Sequence, residues 1–132
     1  MKKGYIGDIE TLTKENTNFR KVLYTGEESQ LVLMSIPVGG EIGMEVHREN
    51  DQFFRFEAGE GKVIINGVET SVKDGTAVVV PKGAEHNVVN VGETDLKLYT
   101  IYSPAHHKDG IERATRDEAM ANEQEFDGTT TE

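Results

Sequence analysis

The 132-residue chain contains no cysteine. Disulfides and thiolate-bound zinc are therefore excluded, and any metal must sit on His, carboxylate or amide ligands. No apolar run approaches the ~20 residues that span a bilayer, so membrane insertion is not expected. Residues 1–10, MKKGYIGDIE, have two lysines but no apolar stretch behind them. They read poorly as a signal peptide, and a cytoplasmic location is expected. Basic residues are scarce: 14 Lys and Arg stand against 24 Asp and Glu, a formal charge of -10. Such a surface repels nucleic acid and anionic lipid. It also gives no help to an anionic substrate. Internal repeats and low-complexity linkers are absent too, and the length suits one domain with a real core.

What is present is a succession of short β-type segments. FRKVLYT, SQLVLMSIP, DQFFRFEAG, KVIING, VETSVK, TAVVVP, HNVVNV and LKLYTIY are rich in Val, Ile, Leu, Phe and Tyr. Gly, Asn, Asp and Pro clusters separate them, a pattern that predicts a sandwich or barrel. Asn66-Gly67 predicts a type I′ hairpin, because both central residues of that turn need positive φ. Residues 8–18 are polar and allow a short turn of helix. Strands are expected to stop after Tyr102. SPAHHKDG then reads as a loop, RATRDEAMAN (113–122) as a short surface helix capped by Thr115, and EQEFDGTTTE as a frayed tail. The expected division is an N-terminal segment (1–18), a β-barrel (19–104) and a C-terminal loop, short helix and acidic tail (105–132).

Chemistry concentrates in two places. Glu45 and His47 are two apart, so on a strand both leave the same face. Gln52 rejoins that face only if REND (48–51) is a turn that resets the pleat. Two adjacent strands then present three donors to one point. His86 follows the Pro81–Gly83 turn and meets His47 if their strands share a sheet. Two imidazoles, a carboxylate and an amide oxygen suit a borderline divalent ion. A histidine at a strand end is, however, more often a surface or core residue than a ligand. Phe54 and Phe56 share the parity of Gln52 and are expected in the core, with Arg55 outside or in a subunit contact. Tyr99 and Tyr102 fall on opposite faces of one strand, and one of them points inward. His106 and His107 are expected in an exposed polar loop rather than over the barrel mouth.

The spacing resembles the two motifs of the cupin superfamily. Gly75, Pro81, Gly83, His86 and Asn90 match the second motif in full. Gly39, Glu45, His47, Gln52 and Gly59 match the spacing of the first, with Glu45 in place of its first His and Gln52 in place of its Glu. The resemblance implies an all-β jelly-roll barrel, a double-stranded β-helix, with one metal at its centre. By position, Glu45, His47, Gln52 and His86 are the implied ligands. The ion is one divalent transition metal (Fe, Mn, Ni, Zn or Co). The exchange of residues keeps the ligand charge at minus one. It also resembles the mannose-6-phosphate isomerase-like group, which implies a small-molecule ligand in the barrel and a homodimer. Three functions follow as expectations. The first is a metal-dependent sugar or sugar-acid isomerase. The second is an iron(II)-dependent dioxygenase, and the third a non-enzymatic small-ligand binder.

Overall fold

The computed structural model describes residues 1–132 as ten strands and two short helices. Asp8 caps helix α1 (Ile9–Glu15), its carboxylate accepting the Thr11 amide. The strands are β1 (Arg20–Thr25), β2 (Gln30–Ile36), β3 (Glu45–Val46), β4 (Asp51–Ala58), β5 (Glu60–Ile65), β6 (Val68–Lys73), β7 (Ala77–Val80), β8 (Glu85–Asn90), β9 (Leu96–Ser103) and β10 (Glu112–Arg113); helix α2 is Arg116–Ala121. They form two antiparallel sheets, of order β10-β1-β2-β9-β4-β7 and β3-β8-β5-β6. This is the expected double-stranded β-helix. The β5–β6 hairpin turns at Asn66 (φ 48) and Gly67 (φ 82), both positive as the sequence requires.

Register explains how one fold holds both a core and a site. In the larger sheet β9 lies between β2 and β4, and the inward residues line up across all three strands. Met34, Leu98 and Phe56 form one apolar row; Val32, Thr100 and Phe54 form the next. One step further the row is Gln30, Tyr102 and Gln52. In the smaller sheet Val63 faces Val88 across the ladder, and Ile65 faces His86. The interior therefore grades from hydrocarbon to polar along the strands. Phe54 and Phe56 are fully buried, as their parity predicts. Arg55 lies on the outer face beside Glu57 (3.2 Å). Tyr102 is the inward tyrosine, while Tyr99 packs outside against Phe53.

Four expectations are corrected. β3 and β4 are not adjacent: they belong to different sheets, and residues 48–50 carry the chain across between them. Strands do not stop at Tyr102, because β10 pairs with the outer edge of β1 and the C-terminal helix starts only at Arg116. The tail is not frayed. The Thr131 amide donates to the Thr25 carbonyl (2.9 Å), and the Glu132 carboxylate accepts from the Lys3 and Gly4 amides and the Tyr24 hydroxyl. The loop with His106 and His107 is not an exposed turn, because a buried side chain from β2 holds it against the barrel.

Candidate metal centre

Glu45 and His86 are direct cross-strand partners on β3 and β8, so the pleat points both the same way. His47 follows β3 by one residue and keeps the parity of Glu45; its carbonyl accepts the Gly83 amide (2.8 Å), tying it to the turn before β8. One donor atom from each of Glu45, His47 and His86 falls within 4.8 Å of the others. Donors about 2.1 Å from a shared ion lie about 3.0 Å apart at right angles and about 4.2 Å apart when opposed, so a pair at the full 4.8 Å would close by about 0.6 Å or more on binding. His47 Nε2 and Glu45 Oε2 are 2.8 Å apart, but not aligned as a hydrogen bond: Nε2 is buried without a partner. A buried imidazole nitrogen left this way fits a metal ligand better than a core histidine.

His86 is held in the form that ligation requires. Its Nδ1 lies 3.1 Å from the Ala84 carbonyl, which can only accept; a proton on Nδ1 serves that carbonyl and leaves the Nε2 lone pair free for a metal. Burial also lowers the His86 pKa, against the raising effect of that carbonyl, and keeps the ring neutral. Gln52 reaches the same spot from the opposite sheet. Its amide nitrogen donates to Thr100 Oγ1 (3.0 Å), which turns its oxygen to within 3.2 Å of His86 Nε2. Two electron-pair donors thus face one another, and a proton or a cation must lie between them. Burial pushes the Glu45 carboxyl up, but the His47 contact and the nearby Arg20 and His86 outweigh it, so the group is an anion. Two neutral imidazoles, one carboxylate and an amide oxygen fit a divalent transition ion.

The surroundings were only partly visible in the sequence. Buried Gln30 donates to the His107 carbonyl (2.7 Å) and accepts the amides of His106 and His107 (3.2 and 3.0 Å). Asn50 adds bonds to the carbonyls of Pro104 and Ala105. The loop is thereby folded over the barrel. The His106 ring packs edge-on to His47 (4.4 Å between centroids) and stacks on Tyr102; His107 Nε2 shares a hydrogen bond with the Tyr102 hydroxyl. Burial lowers His106 to about 4 and His107 to about 2, so both are neutral at pH 7. Burial and the Glu45 charge raise Tyr102 above its usual range, keeping its hydroxyl protonated. Arg20 was missed altogether. Its parity with buried Val22 was the available signal, since it places a cation on an inward face.

Two clefts open at His47 and His106. One, of about 390 Å³, runs outward past Asn50, Glu125 and Phe126. The other, of about 360 Å³, reaches Glu45 and Arg20 and is rimmed by Met44, Arg116 and Met120. The second is lined by two of the candidate ligands, Glu45 and His47, and is of small-ligand size.

Comparison with known proteins agrees with the architecture. The family model described as Cupin domain matches residues 32–102. The uncharacterized protein YrkC of Bacillus subtilis is 42% identical over 127 residues, covering 92% of this chain and 68% of that protein. The uncharacterized protein L612 of Acanthamoeba polyphaga mimivirus is 39% identical over 111 residues, covering 80% and 69%. The crystal structure of BH2720 from Bacillus halodurans superposes with a TM-score of 0.89 at 41% identity, covering 91% of this chain and 96% of that one. With the domain match, the two-sheet barrel and the Glu45–His47–His86 convergence together, the chain belongs to the cupin superfamily.

Proposed function

We propose that Glu45, His47 and His86 hold one divalent transition ion, with the Gln52 amide oxygen as a weaker fourth donor, and that the protein is a metal-dependent small-molecule enzyme of isomerase type. The observation that carries the reading is the convergence of three donors, with the buried His47 Nε2 making no aligned hydrogen bond although Glu45 Oε2 lies 2.8 Å away. Bound there, the ion would polarise a carbonyl oxygen of the substrate. An isomerase must also move a proton between neighbouring carbons. Neutral His106 lines the cleft and can accept a proton, and the Tyr102 ring stacks on it with its protonated hydroxyl hydrogen-bonded to His107 Nε2. The ordered His106 loop thus supports the reading more than an exposed loop would.

One observation favours a second reading. Two imidazoles and one carboxylate are the donor set of iron(II) oxygenases. Metal identity and isotope exchange separate the two. The isomerase predicts manganese, nickel, cobalt or zinc and solvent deuterium appearing at the carbon beside the substrate carbonyl. Stoichiometric iron with substrate-dependent oxygen uptake supports the oxygenase instead. A metal-free protein that still binds small ligands after reconstitution leaves only the binding module. Distant relatives pull in different directions: mannose-1-phosphate guanylyltransferase of Klebsiella pneumoniae is 29% identical over 70 residues, and the oxalate-binding protein of Thermotoga maritima 28% over 68. The first match spans only 15% of that enzyme. We further propose a cytoplasmic homodimer that covers an open sheet edge such as β6, whose Val68 is exposed. Light scattering after size-exclusion chromatography tests the dimer.

A further inference from the structure

Arg20 is a buried cation with no counter-ion in contact. The residue is 7% exposed, its Nε has no hydrogen-bond partner, and no carboxylate lies within ion-pair distance of it. Its one close neighbour of note is the Phe19 ring, 5.4 Å from the guanidinium carbon. Burying a guanidinium Nε without an acceptor is expensive, and folded proteins rarely leave it so. Arg20 lines the cleft that also contains Glu45 and His47. Its field acts on Glu45, Tyr102, His106 and His107 alike, which places it among the site residues.

The charge balance of the cleft says what belongs beside it. Arg20 and Arg116 are its cations, Glu45 and Glu123 its anions, and burial holds His106 and His107 neutral. These cancel. A divalent ion on Glu45, His47 and His86 leaves a surplus of two positive charges inside a protein whose formal charge is -10. An anion is then favoured at this one place, although the whole surface disfavours anions.

We infer that Arg20 binds the carboxylate of a small 2-hydroxy or 2-oxo acid whose neighbouring oxygen turns toward Glu45, His47 and His86. The inference deepens the proposed metal-dependent reading and rests on it for the second contact and for the surplus of positive charge; the Arg20 contact itself rests on the buried Nε that has no partner. A single planar guanidinium fork matches a planar carboxylate in two parallel hydrogen bonds. A phosphate, with three charged oxygens, wants several donors around it. Here one donor of Arg116 is already used, its Nε bonding the Ile42 carbonyl (2.8 Å), and no lysine lines the cleft. The exposed thioethers of Met44 and Met120 at the rim suit a short apolar tail.

The test uses lactate, its neutral analogue lactamide, and inorganic phosphate, titrated calorimetrically into wild type, Arg20→Gln and Arg20→Met, with metal content measured on each sample. Lactate is expected to bind wild type at least tenfold more tightly than lactamide or phosphate. Arg20→Gln is expected to erase the preference over lactamide while leaving metal content unchanged. Arg20→Met removes an uncompensated buried charge, so it is expected to raise the thermal midpoint of the ligand-free protein as it abolishes the preference. An Arg20 that served only the fold would lower that midpoint instead. Wild-type-like lactate binding by Arg20→Gln, phosphate binding as tight as lactate, or no saturable lactate binding by wild type would each overturn the inference. If wild type proves metal-free, the ligand-set reading fails on its own, and lactate-induced thermal stabilisation lost in Arg20→Gln still tests the Arg20 contact.

Discussion

His47 Nε2 is a ring nitrogen enclosed by the barrel with no hydrogen-bond partner, and Gln52 Oε1 faces the lone pair of His86 at 3.2 Å. Each is costly alone, and one cation resolves both. The two sites differ in expected weight. An imidazole is a strong ligand for this class of ion, and a neutral amide oxygen is a weak one. Gln52→Ala is therefore expected to weaken metal affinity by about tenfold without abolishing it, read by competition with a chromogenic chelator. Loss of binding as complete as that of a histidine variant would make Gln52 a primary ligand. The neutral histidines also set a pH dependence. His106 and His107 titrate at about 4 and about 2 in the folded protein but near ~6.5 when unfolded. Below ~6.5 the unfolded chain takes up protons that the folded one refuses. Stability is thus complete above that pH and falls as pH drops toward 4. In chelator-treated protein the thermal midpoint should follow this course, and His106→Gln should flatten it. An unchanged slope in that variant would show that His106 is not held neutral.

Among the elements, the two that bring C-terminal residues to the cleft are held by few contacts. The 104–107 loop depends on Gln30, whose amide bonds two backbone N–H groups and one carbonyl of the loop. Gln30→Met keeps the volume but leaves those groups unpaired. It should cost about 2–4 kcal/mol in denaturant unfolding and raise proteolysis near His106; a neutral result would mean that the loop is held by something else. Helix α2 brings Arg116 and Met120 to the rim, and its N-cap is Thr115, whose hydroxyl accepts the Glu118 amide (3.1 Å). Thr115→Ala should cost about 1 kcal/mol by the same measurement. These elements also mark where sequence reading reached its limit. The Thr115 cap, the Asn66-Gly67 turn and the inward Phe54 and Phe56 were legible because each is fixed within a few residues. SPAHHKDG looked like an exposed loop because nothing near it shows that Gln30, more than seventy residues earlier, holds it. The separate sheets of β3 and β4 were hidden for the same reason, since adjacency depends on which distant strand each pairs with.

At the scale of the whole molecule the fold separates two tasks along one set of strands. The Met34, Leu98 and Phe56 row supplies packing, and the Gln30, Tyr102 and Gln52 row begins the site. The histidines of the two motifs were readable in the sequence and do converge. Arg20 and Thr100 were not singled out, because a cation or hydroxyl on a strand shows no purpose until its neighbours across the barrel are known. No helix is long and apolar enough to cross a membrane, and the acidic surface leaves the cleft, once loaded, as the favoured place for an anion. Everything in this account depends on one ion between the sheets. Elemental analysis of purified, reconstituted wild type and His86→Ala tests it most directly. About one divalent transition ion per chain in wild type and none in a folded His86→Ala is the expected result; equal metal content in the two proteins, or none in either, would contradict it.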